Sequence, residues 1–160
     1  MAGTISNQLK ALLVTDNIAE RGINVWQQNS FTVQHFSYEC RRRRNDSGTP
    51  YGQTLPAFLD FTVKVASEDN GKVFFDRMLT NETFPYSFLF NASFNSMRRL
   101  SECEDAMVVS GYIVDLEETF ESAPAADGSA EQMLIHARVL ISNIAYLGRE
   151  KVLELTITKD

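Results

Sequence analysis

The chain has 160 residues, of which 44% are hydrophobic and 22% are charged, and its formal net charge is −6. This size and composition are typical of one ordinary domain, residues 1–160, that buries its own core. The acidic balance argues against a nucleic-acid binder, which needs a basic surface. No apolar run is long enough to cross a membrane and no signal peptide is recognisable, so we expect the chain to fold in the cytoplasm.

The first part of the chain predicts two strands. Alternating residues from position 9 to position 14 indicate a strand that is partly buried on both faces. In the second predicted strand, residues 25–38, Phe31 and Val33 lie on one face and Phe36 and Tyr38 on the other. This change of face predicts a bulge near Gln34 and His35.

Residues 40–56 have the composition of a segment that leaves the body of the domain. They contain four consecutive arginines, the turn sequence Asn45-Asp46-Ser47-Gly48, two prolines and a further glycine. A loop longer than about 12 residues in a compact domain is usually functional or disordered. A solvated charge run is the plainer interpretation. We predict that this segment contacts another copy of the protein.

The remainder predicts more strands and one helix. Leu59, Phe61, Val63 and Val65 alternate with polar residues, as in a half-buried strand. A helix is predicted at about residues 70–81, with Phe74, Phe75, Met78 and Leu79 as its apolar stripe and Lys72, Asp76 and Arg77 facing away. Further strands are predicted at residues 84–94, 106–120, 133–141 and 152–157, with a bend or close backbone approach at Gly111. The fold class is therefore an all-β antiparallel barrel or sandwich of about seven to nine strands with one embedded helix.

The sequence contains no pattern that indicates catalysis, a metal or a cofactor. Cys40 borders the four arginines, which would favour its thiolate, whereas acidic neighbours would raise the pKa of Cys103. His35 and His136 are far apart in sequence and have no nucleophile signature beside them. The acids near Cys103 resemble a hydrated turn more than a divalent-metal site. We therefore expect a protein that is not an enzyme and needs no cofactor.

Four motifs occur in an order that resembles the haemolysin-coregulated protein family, the tube subunits of type VI secretion systems, in its Bacteroidetes branch. The match covers about residues 30–157 and is carried by these segments: Phe36-Ser37-Tyr38-Glu39, basic residues, then Asp46-Ser47-Gly48-Thr49-Pro50 and Tyr51-Gly52; the helix residues 73–79 with Asn81; residues 111–118; and residues 144–148. The first thirty residues match poorly, and residues 150–160 form an additional strand-like segment.

The resemblance implies a small β-barrel that closes into hexameric rings, which stack into a hollow tube for effector proteins. It further implies sheath, baseplate and spike components as partners, assembly in the bacterial cytoplasm and export after firing. We assign stacking between rings to Arg41, Arg42, Arg43, Arg44, Asp46 and Tyr51. Lateral contact is assigned to Tyr112, Val114, Asp115, Glu117 and Glu118. Acids on a neighbouring copy that can pair with the arginines are Glu102, Glu104, Asp105, Glu117 and Glu118.

Two alternatives remain open at the level of the sequence. The chain can be a tail-tube subunit of a related contractile injection system or phage tail. A different class is a monomeric β-barrel that binds a small apolar ligand among Tyr86, Phe88, Phe90 and Phe94. Oligomeric state separates the two classes, because a ligand-binding barrel stays small in solution.

Overall fold

The computed structural model describes residues 11–18, 30–65, 68–90, 105–121, 132–147 and 152–156. Within these ranges the chain forms nine strands and a helix of twelve residues. The elements are β1 Ala11–Val14, β2 Ser30–Glu39, β3 Arg42–Arg44, β4 Pro50–Thr54, β5 Phe58–Val65, α1 Glu68–Leu79, β6 Phe84–Phe90, β7 Asp105–Glu121, β8 Gln132–Leu147 and β9 Val152–Thr156.

Six strands close into an antiparallel barrel. They follow the order β5-β2-β1-β6-β7-β8, and β8 returns to pair with β5. The first half of β8 pairs with β5 from Met133 to Leu140, and its second half pairs with β9 from Asn143 to Leu147. β3 and β4 form a separate two-stranded sheet. The predicted all-β fold class with an embedded helix is confirmed.

Two irregularities of the barrel lie where the sequence predicts them. The register between β2 and β5 shifts between Val33 and His35, so the bulge near Gln34 is confirmed. Phe36 therefore joins Phe31 against the same core despite the change in parity. In β7 the register shifts at Gly111, and a Cβ atom placed there would overlap the backbone carbonyl of Leu140. Gly111 thus permits the close backbone approach that was predicted.

Aromatic side chains fill the barrel interior. Phe61 lies at the centre, with its ring centroid 5.7 Å from that of Tyr86, 5.7 Å from Phe88 and 5.8 Å from Phe74. Phe36 approaches Phe88 at 4.7 Å, in an edge geometry that favours aromatic pairs. The alternation predicted for β5 is confirmed. Phe94 lies outside the described residues.

The helix packs on the barrel through a different face from the predicted one. Phe74 is fully buried, but Phe75 is 52% exposed and Leu79 is 70% exposed. Arg77, which was predicted to face away, lies against the protein and donates hydrogen bonds to the backbone carbonyls of Thr15 and Pro85. The predicted apolar stripe is therefore wrong for its exposed members.

Arg77 is held by aromatic rings as well as by hydrogen bonds. Its guanidinium carbon lies 4.8 Å from the Phe84 ring centroid and 5.1 Å from the Tyr86 ring centroid. A planar guanidinium can stack on rings and donate to two carbonyls at once. Arg77 therefore makes the packing contact that the helical pattern predicted for Phe75 and Leu79. Arg77 thereby ties the end of α1 to the start of β6 and the end of β1.

A polar residue of β6 is buried as well. Ser87 is fully buried, and its hydroxyl donates to the carbonyl of Asp16 and accepts from the amide of Ile18. The hydroxyl satisfies backbone groups that leave β1, as buried polar groups require. The parts of the predicted strands at residues 9–10, 25–29 and 91–94, and Cys103, lie outside the described residues.

Candidate assembly surface

The predicted protruding loop is a β-hairpin. β3 and β4 pair through Arg43 and Tyr51 and through Arg44 and Pro50, and a bulge follows between Arg42 and Arg43. Every residue from Cys40 to Gly52 is exposed. The amide of Leu55 donates to the carbonyl of Arg41 over 2.8 Å, which closes the base of the hairpin. The segment leaves the barrel as predicted, but as ordered secondary structure.

Hydrogen bonds within the turn give the hairpin a defined tip. The side-chain oxygen of Asn45 accepts from the amide of Ser47 at 3.1 Å and from the amide of Thr49 at 2.8 Å. Gly48 has a φ of 86°, a left-handed conformation that glycine adopts without strain. The Asn-Asp-Ser-Gly sequence therefore folds the tip through its own side chains.

The hairpin presents cations with few partners in the same chain. Arg41 forms an ion pair with Glu39, and both side chains are largely exposed. No carboxylate among the described residues pairs with Arg42, Arg43 or Arg44. Asp46 is exposed at the tip, and Tyr51 is 52% exposed beside Arg43. The hairpin is thus a cationic arm with one exposed aromatic ring.

A groove of about 630 Å³ lies at the base of the hairpin, between the arm and the barrel. Its lining combines Tyr38 and Phe58 with Arg41, Asp60 and Arg138. The Arg138 guanidinium carbon lies 4.3 Å from the centroid of the Phe58 ring. The groove is open and mixed in polarity, which does not suit a small apolar ligand.

The predicted lateral residues lie in the second half of β7. Val114 occupies a bulge between Ile113 and Asp115, and its side chain is partly exposed. Asp115, Glu117 and Glu118 are exposed, whereas Tyr112 is half-buried. The predicted partner acids Glu102 and Glu104 and the side chain of Asp105 lie outside the described residues. The lateral role of the β7 residues stays a prediction.

The structure adds a patch of apolar side chains on α1 that the sequence interpretation assigned to the core. Phe75, Met78 and Leu79 are exposed, and we call them the helix patch. Beside the patch, a cleft of about 220 Å³ lies between the end of α1 and β7, lined by Leu79, Asn81, Tyr112 and Val114 among others. Helical spacing indicated that these residues share a face, but it did not indicate which face packs.

The hairpin leaves the barrel before β5, whereas α1 begins after β5. The hairpin connects the end of β2 to the start of β5, whereas α1 connects the end of β5 to the start of β6. Because β2 and β5 are antiparallel, these two connections emerge from opposite ends. The cleft beside the helix patch nevertheless borders the base of the hairpin, because its lining residue Leu140 pairs with Phe58, the first residue of β5.

The chemistry predicted for Cys40 is wrong in its direction. The side chain is exposed, yet partial desolvation by its neighbours raises the pKa of the Cys40 thiol above its ordinary value. The adjacent arginines therefore do not create a reactive thiolate. Within the described ranges, no group of three His, Cys, Asp or Glu residues is placed to hold a metal ion. No helix in that part of the chain is long and apolar enough to span a membrane.

The aromatic residues proposed for an apolar ligand serve as the core. Tyr86 and Phe88 are fully buried and pack against Phe61. Phe90 contacts Phe36, with ring centroids 5.1 Å apart. These side chains pack against one another, so they leave no surface for a ligand, and the ligand-binding alternative loses the residues on which it depends.

Comparison with solved structures identifies the architecture. Hcp1 from Flavobacterium johnsoniae matches with a TM-score of 0.54 and 15% sequence identity, covering 92% of this chain and 98% of that chain. An Hcp protein matches with a TM-score of 0.58 and 11% identity, covering 96% of this chain and all of the other. Hcp1 from E. coli EAEC 042 matches with a TM-score of 0.53 and 11% identity, covering 92% and 97% of the two chains.

The chain has an Hcp-like fold. The resemblance carried by the sequence motifs is thereby confirmed at the level of the fold, and the Flavobacterium match is consistent with the Bacteroidetes branch. No protein-family model matches the sequence. No curated protein matches it either. At these low identities, the Hcp-like barrel is recognised by its strand order and not by its residues.

Proposed function

We propose that this protein is a structural subunit of a type VI secretion tube, which assembles into hexameric rings that stack. The proposal is carried by one observation: an Hcp-like barrel extends a fully exposed cationic hairpin from one end. The residues of the hairpin from Cys40 to Gly52 are exposed, so their side chains are available for contact with another copy. Closed rings follow from a heterologous contact whose rotation closes.

The charge distribution supports assembly by contacts between unlike surfaces. Arg42, Arg43 and Arg44 project from the hairpin, whereas Asp115, Glu117 and Glu118 are exposed in the part of β7 beyond Gly111. Two copies that meet at unlike surfaces gain charge-assisted hydrogen bonds, and two copies that meet hairpin to hairpin repel. The exposed ring of Tyr51 supplies apolar contact within the cationic arm.

The remaining parts of the proposal follow from the type VI assignment. Sheath, baseplate and spike components would surround and cap the tube, and effector proteins would occupy its lumen. Assembly would take place in the bacterial cytoplasm, and the subunit would leave the cell when the machine fires. We propose no catalytic role, because the subunit acts through its surfaces and through repetition.

Light scattering on a sizing column tests this function directly. We expect a discrete species of about six times the chain mass of 18.1 kDa, together with larger stacks at low salt. The stacks should dissociate in about 1 M salt, where charges are screened beyond roughly 3 Å. A monomer at every protein concentration and salt would refute the ring and would favour the monomeric barrel.

A charge-matched pair of variants tests the role of the hairpin. Replacing Arg42, Arg43 and Arg44 by Gln should abolish the stacks seen by electron microscopy and leave single rings. The control carries Thr32→Glu, Gln34→Glu and Thr83→Glu, which lower the net charge equally at exposed positions away from the hairpin. If the control loses its stacks to the same extent, net charge is responsible and the hairpin is not.

A further inference from the structure

We propose that residues 157–160, which follow β9, dock in the groove between the hairpin and the barrel and hold the base of the hairpin in place. The groove has a volume of about 630 Å³ and is open to solvent. The contact lies within one chain, so the proposal goes beyond the proposed function and does not depend on assembly. It is supported by the sheet geometry at the end of β9, by the reach of the segment and by the charges of both partners.

β9 and β5 lie on the same edge of β8 and run in the same direction, because both are antiparallel to β8. Thr156, the last residue of β9, pairs with Asn143. Phe58, the first residue of β5, pairs with Leu140. The two partners lie three residues apart on β8, which corresponds to about 10 Å. β9 therefore points at the start of β5.

The chain that follows β9 cannot continue along β8. The amide of Ile141 donates to the carbonyl of Ala57 at 2.9 Å, so the residue before β5 already occupies this edge. Ala57, Ile141 and Ile144 are buried in the core, so the inner side of the barrel wall is filled as well. Residues 157–160 therefore have to leave the sheet on its outer side, beside Ala57.

The groove begins at this point. Its lining includes Leu55, Pro56 and Phe58, which flank Ala57 in the sequence. An extended chain rises about 3.3 Å per residue, so four residues span about 13 Å. This reach takes residues 157–160 from the end of β9 past Phe58 and into the groove.

Both walls of the groove carry one acid and one base. Glu39 and Arg41 pair with each other at the base of the hairpin, and both side chains are largely exposed. Asp60 and Arg138 are cross-strand partners on the barrel wall. The groove can therefore receive a segment that carries both signs of charge, and a purely acidic or purely basic peptide would meet a like charge on each wall.

The segment has the composition that such a groove requires. Residues 157–160 read Ile-Thr-Lys-Asp. Lys159 can pair with a carboxylate, and Asp160 can form charge-assisted hydrogen bonds with a guanidinium. Adjacent residues of an extended chain point to opposite sides, so these two charges reach opposite walls. Ile157 enters first, where the lining residue Phe58 offers apolar contact.

An occupant from the same chain is favoured over a free peptide. Exposed ion pairs are individually weak, but a short attachment gives the segment an effective concentration on the order of millimolar. The groove adjoins the hydrogen bond from the amide of Leu55 to the carbonyl of Arg41, which closes the hairpin base. Docking of the segment over this bond should slow the opening of the hairpin.

Crosslinking within one chain tests the placement of the segment. The chain carries Cys40→Ser and Cys103→Ser, together with Thr158→Cys and Ser37→Cys, because Ser37 lines the groove. A short bismaleimide should link the two new cysteines several-fold more efficiently than in a control with Gln34→Cys in place of Ser37→Cys. Gln34 is also exposed on β2 and is not a lining residue. Equal efficiencies would overturn the proposal.

Mixed chains show whose groove is occupied. An affinity-tagged chain carries Thr158→Cys and an untagged chain carries Ser37→Cys, both with Cys40→Ser and Cys103→Ser. The link between these two chains should be several-fold rarer than the link within one chain. A predominant link between chains would assign the groove to the segment of a neighbouring copy and would overturn the contact within one chain.

Hydrogen exchange measures the effect on the hairpin. Lys159→Gln with Asp160→Asn removes both charges of the segment, preserves the net charge and should speed exchange of the Leu55 amide several-fold. Lys72→Gln with Asp76→Asn removes one charge of each sign from exposed positions of α1 and should leave that rate unchanged. The two double variants are compared at the same solution mass, because assembly also protects amides. Equal Leu55 rates in both would overturn the proposal, whereas a faster rate in the first variant alone supports it.

Discussion

Replacing Gly111 by Ala should destabilise the barrel more than the same replacement at any other described glycine. A Cβ atom at this position would lie 2.7 Å from Val139 Cγ1 and 3.0 Å from the backbone carbon of Leu140, and closer still to the Leu140 oxygen. Carbon atoms pack at about 3.5–4.0 Å, so the two strands would have to separate by roughly 1 Å. Backbone atoms cannot rotate away as a flexible side chain can.

The expected cost lies at the upper end of the range for overpacking, about 3 kcal/mol. For a chain of this length, that corresponds to a fall in melting temperature of about 6–12 °C. Urea denaturation should show a lower midpoint with an unchanged m-value. The two proteins are compared at matched concentrations, because assembly also contributes to apparent stability. The loss acts on the pairing of β7 with β8, which spans most of both strands.

Gly71→Ala is the matched control. Its Cβ would meet the terminal carbon of Ile135 at 3.1 Å, a side-chain atom that can shift. Alanine in a helix is favoured over glycine by about 1 kcal/mol, which offsets the crowding. We expect its stability to stay within about 1 kcal/mol of the parent protein. If Gly111→Ala and Gly71→Ala have equal midpoints, the close approach of β7 to Leu140 does not exist in solution.

Three further predictions follow from side chains that the fold uses in particular ways. Arg77→Met leaves the carbonyls of Thr15 and Pro85 without their donor, so it should lower the free energy of unfolding by about 2–4 kcal/mol. In the same urea titration, Asp76→Asn on the exposed face should change the free energy of unfolding by less than about 0.5 kcal/mol. Burial raises the pKa of Tyr86 to about 12, partly offset by the nearby Arg77, and its hydroxyl has no hydrogen-bond partner within the described residues. The unfolded chain therefore ionises first, so stability is intact below about pH 10 and falls by roughly 2–3 kcal/mol towards pH 12; Tyr86→Phe should flatten this decline in an alkaline unfolding series, and an unchanged decline would contradict the assignment. Gly52→Ala should strain the hairpin by about 1–2 kcal/mol because the φ of Gly52 is 70°, and hydrogen exchange should speed up in β3 and β4 while the rates in β5 stay constant.

The sequence predicted the features that depend on period and on backbone geometry. Alternation in β5 is strict, so its buried residues were identified without ambiguity. The parity change before Phe36 revealed the bulge, because a strand with one buried face must keep its apolar residues on that face. Gly111 stood in the middle of a long strand, where glycine is otherwise unfavourable.

The features that the sequence did not predict depend on tertiary competition. On α1, Phe74 is buried while Phe75 is not, because two overlapping stripes were available and Arg77 occupies the place against Tyr86 and Phe84. The helical pattern contains no information about that choice. The hairpin was assigned as a loop because arginines have no strong strand preference, whereas its structure depends on the Asn45 side chain and on Gly48 and Gly52.

The closure of β5 against β8 determines when the protein can finish folding during synthesis. Phe58 pairs with Leu140, so the ribosome has to add almost half of the chain after β5 before the second partner of that strand is complete. Until then, β5 has an open edge beside β2, with alternating apolar residues of the kind that aggregate. The closing step spans about the same sequence separation as the β1–β6 pairing and far more than the β6–β7 and β7–β8 pairings, so it should be slow relative to those two. A nascent chain arrested after β7 should therefore bind general chaperones, and release should follow the emergence of residue 140.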